Sequence, residues 1–160
     1  MTASTGTDRP TLDFDVVAVG DVLPELVLPI TRTLVVSGAI ASYDFQDVHH
    51  DSVLAHQRGS QDIFMNILTT NGLVGRYVTD WSGPGAVLTD VQIRLGAPNY
   101  PDDTMTLTGS VTAKDDTVGA DGWGSVEVSL RGANSIGDHV VGTVTLRLPA
   151  GGQPQGGAAS

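Results

Sequence analysis

Cysteine is absent from the 160 residues, which removes disulfides, thiol nucleophiles and thiolate metal sites together. Basic side chains are scarce, with 8 Lys plus Arg against 18 Asp plus Glu, and Lys114 is the single lysine. The resulting formal charge of −10 repels phosphate backbones, so nucleic acid is not an expected partner. Aromatic residues make up only 5%, and no apolar run approaches the roughly 20 residues that a spanning helix needs, so no membrane partner is expected either. The opening MTASTGTDRP carries no apolar stretch of the signal-peptide kind, and a cytoplasmic location is the expectation.

What is present suits one domain with a core of useful size, since 40% of the residues are hydrophobic. Residues 1–10 are polar without periodicity, and 150–160 are rich in Gly and hold nothing apolar larger than Ala. Both read as disordered, leaving 11–149 as the folded body. Its C-terminal half alternates with period two: Val87, Val91, Ile93 and Leu95; then Met105, Leu107, Val111 and Ala113; then Val126, Val128 and Leu130; then Val140, Val144, Leu146 and Leu148. Short Gly and Asp clusters between these runs predict an antiparallel meander of four consecutive strands. Upstream, Ile63, Phe64, Ile67, Leu68, Leu73, Val74, Tyr77 and Val78 recur at spacings of three and four, predicting one long helix over 62–80. Asp62 at its start suits the positive end of the helix dipole, and Gly72 and Gly75 offer places for close backbone approach. Before it come a predicted strand over 33–38, a loop over 42–51 and a helical turn over 52–57. A twisted antiparallel sheet curled around one long helix is the hot-dog architecture, of class α+β. It is preferred to a cone-shaped α+β barrel because only one helix here is long.

The loop from Ser42 to Asp51 packs three Asp and two of the chain's four His into ten residues. A solvated turn has this composition too. The position between a strand and a buried helix, with a carboxylate and a titratable imidazole five residues apart, favours a pair that can hold one water and share acid and base roles. His50, His56 and His139 read as structural, and no set of ligands for a metal is evident.

The spacing of Asp44 and His49, with Asp51 two places further, resembles the motif of the MaoC-like, R-specific enoyl-CoA hydratases. The helix-starting Ile63-Phe64-Met65-Asn66 resembles that family's Ile ahead of a His-Gly pair. Two pairs depart from the pattern: Gln46-Asp47 stands for Asn-Pro and Met65-Asn66 for His-Gly. Longer runs, DFQDVHHD, GSQDIFMNILTTNGLVGRYVTDWSGP and RLGAPNYPDDT, are similar to the small subunit of heteromeric MaoC-like hydratases of actinobacterial cholesterol side-chain degradation. The resemblance implies a steroid enoyl-CoA substrate and catalysis by Asp44 and His49. It also implies an oxyanion donor in the Asn66 backbone N–H, and a second hot-dog subunit completing a heterotetramer, on which a downstream aldolase could dock. No cofactor is implied, since CoA arrives as part of the substrate. Arg94 and Arg76 are candidates for the anionic CoA tail. Two alternatives stay open. Asp62 or Asn66 could serve a hot-dog thioesterase, or the chain could be a non-catalytic scaffold of a hot-dog pair.

Overall fold

The period-two segments form strands where the alternation placed them: β2 (Val87–Leu95), β3 (Asp103–Lys114), β4 (Trp123–Ala133) and β5 (Asp138–Pro149). A fifth strand, β1 (Val22–Ile30), precedes them. The structure, a computed structural model, describes residues 10–151. The readings of 1–9 and 152–160 lie outside the described residues. Ala150 and Gly151 are described, donating from their backbone N–H groups to Gly122 O and to the Asp15 carboxylate.

The sheet is antiparallel throughout, in the order β1-β3-β4-β5-β2. Only β3, β4 and β5 form a meander. The prediction of four consecutive neighbours fails at β2, which pairs with β5 across the register Val87↔Arg147 to Leu95↔Val140. The cause lies in the segment that follows it, residues 96–102, which holds Pro98 and Pro101 and crosses the end of the sheet instead of turning. Gly96 and Ala97 N–H groups donate to His139 O and Asp138 O on the β5 side, and the Asp102 N–H donates to Ile30 O on the β1 side. Strand β1 was concealed by Pro24 and Pro29. Proline within an apolar run is tolerated at an edge, and β1 is an edge strand with a register shift between Leu23 and Leu26.

The segment predicted as a strand over 33–38 is instead α1 (Arg32–Ala41). Its Val-Val pair favours a strand locally. The Thr31 hydroxyl overrides this by accepting from the Leu34 N–H at 3.0 Å, and the buried Val35 and Ala39 then fall on one helical face. A short helix, α2 (Ser52–Gln57), occupies the predicted turn. The long helix is α3 (Ile67–Ser82), 16 residues and about 24 Å, so it starts five residues later than the periodicity suggested. Its buried Val74, Tyr77 and Val78 join one apolar cluster with Met105, Leu107, Val128, Val144 and Leu146 of the sheet, while Ile67 and Leu68 stay half-exposed. The sheet therefore wraps one face of the helix, as the hot-dog architecture requires.

Close approach occurs at a glycine other than the two expected. Gly72 meets open space and Gly75 only an ordinary contact with Leu88. Gly38 of α1 is where a Cβ would fall inside the Thr69 side chain, so α1 and α3 meet there. A Gly38→Val substitution would gain helix propensity but overpack this contact, a cost of about 1–3 kcal/mol. A chemical denaturation midpoint equal to or above that of the parent would refute this account of the crossing.

Candidate active site

The loop carrying Asp44 begins where α1 ends, and its backbone is held by the way that helix stops. The Tyr43 N–H donates to Ile40 O and the Asp44 N–H to Ala39 O, at 3.1 and 2.9 Å. With Tyr43 at φ 58°, this is the double-bonded helix terminus that glycine usually supplies. A non-glycine residue there costs about 1–2 kcal/mol. Asp44 is thus anchored to the helix one residue past a strained tyrosine.

His49 closes a one-turn helix over Asp47–His49 and is buried, its side chain 7% exposed against 15% for Asp44. Its Nδ1 lies 2.7 Å from Phe64 O. A carbonyl can only accept, so Nδ1 carries a proton and donates. In the neutral ring, Nε2 is then left as an acceptor, and it lies 3.3 Å from Asp44 Oδ2. The extended stretch before α3 is fixed in turn, because the Phe64 N–H donates to Val48 O and the Met65 N–H to Asn99 O. The Phe64 ring packs edge-on against His49 with centroids 5.0 Å apart, and Tyr100 packs on Phe64.

Asn66 caps α3: its Oδ1 accepts from the Thr69 N–H at 2.9 Å. Its Nδ2 donates to Ser42 Oγ at 2.9 Å and to Asp44 Oδ2 at 3.0 Å. Asp44 Oδ1 accepts from the Gln46 N–H at 3.3 Å. The Asn66 hydrogen bond holds the Asp44 carboxyl below the usual carboxylate range. Desolvation opposes it, while the Gln46 N–H and the nearby imidazole add to it. At neutral pH Asp44 is therefore an anion facing an imidazole.

The structure thus brings Asp44, His49 and Asn66 together. Asp51 does not join them, since its Oδ1 caps α2 by accepting from the Val53 and Leu54 N–H groups. Asp62 is not at the start of the long helix and is no partner to its dipole. It forms a two-pronged pair with Arg32, at 2.5 and 3.2 Å, and accepts from the Ile63 N–H. That removes the free carboxylate a thioesterase reading would use. Arg94 is exposed on β2 and lines a groove of about 730 Å³ with Ile67, Leu68 and Asn71 of α3. Arg76 is ion-paired with Asp80 at 3.2 Å on the exposed face of α3 and does not line that groove. His50 Nε2 faces Phe45 O, and His56 Nε2 faces Gln61 O. Among the described residues no group of three His, Asp or Glu is placed to hold a metal, and no helix is long and apolar enough to cross a membrane.

The sequence reading did not include Ser42 or the Phe64 carbonyl, and it gave the Asn66 side chain only a thioesterase role, not its cap on α3 or its bond to Asp44. The signal for the cap was present: Asn immediately before the apolar helical run that opens with Ile67 and Leu68 is a helix start.

No family model matches the sequence. The chain is 52% identical over 130 residues, 81% of its length and 95% of the relative's, to the 3-oxo-4,17-pregnadiene-20-carboxyl-CoA hydratase beta subunit of Mycobacterium tuberculosis. The chain belongs to the MaoC-like hydratase family. A chain in the crystal structure of the ChsH1-ChsH2 complex from Mycobacterium tuberculosis is 51% identical, superposes with a TM-score of 0.75, and is covered over 98% of its length by 82% of this one. The R-hydratase PhaJ1 from Pseudomonas aeruginosa is only 18% identical over 94% of this chain and 96% of its own, yet gives a TM-score of 0.75, so it shares the hot-dog fold.

Under the first turn of α3, this MaoC-like chain buries a second imidazole. His139 is 1% exposed, with Nδ1 2.7 Å from Ala97 O and Nε2 2.8 Å from Thr70 Oγ1. Nδ1 must donate to the carbonyl, so Thr70 donates to Nε2 and the neutral ring ties β5 to the helix. Desolvation depresses the His139 pKa below its ordinary 6.5, with the Ala97 hydrogen bond opposing weakly. Below about pH 6.5 the unfolded chain binds the proton more readily than the folded one, so this residue's contribution is intact above that pH and is lost as the pH falls. Thermal midpoints measured from pH 8 to pH 5 should fall more steeply for the parent than for a His139→Gln variant. Parallel curves would remove His139 as the cause.

Proposed function

We propose that this chain is the catalytic subunit of an enoyl-CoA hydratase, acting on a steroid acyl-CoA with a shortened side chain. The observation that carries the reading is the placement of His49 Nε2 3.3 Å from Asp44 Oδ2, with Nδ1 bound to Phe64 O. Two acceptors side by side hold one water by both its hydrogens and leave its oxygen free to approach a β-carbon. As that oxygen bonds to the β-carbon, Asp44 takes one water proton. The proton passes across the pair to Nε2 and from there to the α-carbon, so one water is consumed and both groups return to their starting states. Between these events negative charge sits on the thioester oxygen as an enolate. The Asn66 backbone N–H, at the positive end of α3, is the donor for that oxygen, and such a donor contributes about 3 kcal/mol in the transition state.

The substrate class rests on the 52% identical relative, whose name specifies a pregnadiene carboxyl-CoA. A partner is supported by the solved ChsH1-ChsH2 complex and by the open groove at Ile67, Leu68 and Arg94, which this chain alone does not roof. In our reading the assembly is a heterotetramer of two copies each of two hot-dog chains, as the family resemblance implies, with Arg94 toward the CoA tail. The contact between Asp44 and His49 supports this reading over the scaffold alternative.

Asp44→Asn and His49→Ala, each assembled with the second hot-dog subunit, should lower kcat by about 10²- to 10⁴-fold while the complex still forms. Loss of the conjugated-thioester absorbance of a steroid enoyl-CoA reports turnover, and size exclusion reports assembly. Full activity in both variants would assign the chemistry to the partner and make this chain the scaffold.

A further inference from the structure

Asn66 is 2% exposed, and each polar atom of its side-chain amide that meets the protein has a partner. The orientation of that amide is not free. Thr69 presents an N–H, so the atom facing it must be the oxygen, and Nδ2 is left turned toward Ser42 and Asp44. Ser42 Oγ is committed as well, since it donates to Gly38 O at 2.8 Å and approaches Ala39 O at 3.1 Å, which leaves it an acceptor for Asn66. One amide thereby joins the end of α1, the Asp44 carboxylate and the start of α3.

We propose that the Asn66 side chain is a positioning residue for Asp44, its Nδ2 holding the carboxylate oxygen that faces His49 so that the other lone pairs stay aimed at the water. This deepens the hydratase reading and rests on it, and it is distinct from the backbone N–H of the same residue. A hydrogen-bonded carboxylate has one rotamer to choose from, and misplacement by about 1 Å at a reacting group can cost about 10²-fold in rate. The same bond keeps Asp44 ionised in a partly desolvated position. His49 is the titratable group that faces Asp44. Asp47 is turned away to Arg58 at 2.8 Å, and Asp51 to the start of α2.

Two variants separate this role from capping. Asn66→Ser keeps a good cap for α3 and the backbone N–H but is too short to reach Asp44. Asn66→Asp keeps the acceptor for Thr69 and replaces the donor with a second carboxylate. In the assembled complex, kcat should fall by about 10²-fold in Asn66→Ser with KM within about twofold. The acidic limb of the kcat/KM profile, which reports Asp44 in the free enzyme, should move to higher pH in both, and further in Asn66→Asp because like charges oppose ionisation. An unmoved limb in both variants, with or without a lower melting temperature, would leave Asn66 as a cap only and overturn the proposal. Full activity in both Asp44→Asn and His49→Ala would instead overturn the reading of this chain as the catalytic subunit, so the two failures are told apart by which variants survive.

Discussion

One carboxamide sets the geometry on which the rest of the site depends. The Asn66 side chain accepts from α3 and donates to the loop after α1, so the two helices cannot shift relative to each other without breaking a buried hydrogen bond. Such a bond adds only about 1 kcal/mol of net stability, but leaving its partners unsatisfied in the interior costs about 1–3 kcal/mol each. The constraint is therefore sharper than its contribution to folding suggests. It also needs the close contact at Gly38 and Thr69, because a side chain there would push α1 off α3 and lift Ser42 and Asp44 from the amide.

The two buried imidazoles share one anchor and differ in the other. Both rings donate from Nδ1 to a backbone carbonyl, Phe64 O for His49 and Ala97 O for His139. What differs is the partner of Nε2. A carboxylate faces His49, whereas His139 meets the Thr70 hydroxyl in a dry position that favours the neutral ring. The second arrangement braces the helix start.

The strands and the proximity of Asp44 and His49 were legible because each is written in short-range pattern: period-two alternation in four segments, and a fixed interval of five between Asp44 and His49. What was illegible depended on contacts distant in sequence. Strand β1 exists through pairing with β3 about 80 residues away, and its two prolines mask it until its edge position is known. α1 reads as a strand from Thr33, Leu34, Val35 and Val36, and a single threonine cap together with packing through Gly38 decides otherwise. The start of α3 was misplaced because Ile63 and Phe64 continue a helical spacing by coincidence. They lie in an extended stretch held by Val48 and Asn99. The same misplacement hid the asparagine side chain, since a residue thought to be within a helix is not examined as its cap. Strand order, too, followed from where residues 96–102 find hydrogen-bond partners at both ends of the sheet.

The polypeptide between Asp44 and the start of α3 is secured at several points: the Asp44 N–H to Ala39 O, His49 Nδ1 to Phe64 O, the Phe64 N–H to Val48 O, the Met65 N–H to Asn99 O, and the ion pairs of Asp47 with Arg58 and of Asp62 with Arg32. Beyond them α2 buries Ala55 in the core and leaves Val53 exposed, and the turn at Gly59 has open surroundings. A change of length at the Gly59 turn would leave Asp44 and His49 facing each other, because their contact is fixed by bonds to α1 and to Phe64 on either side of it.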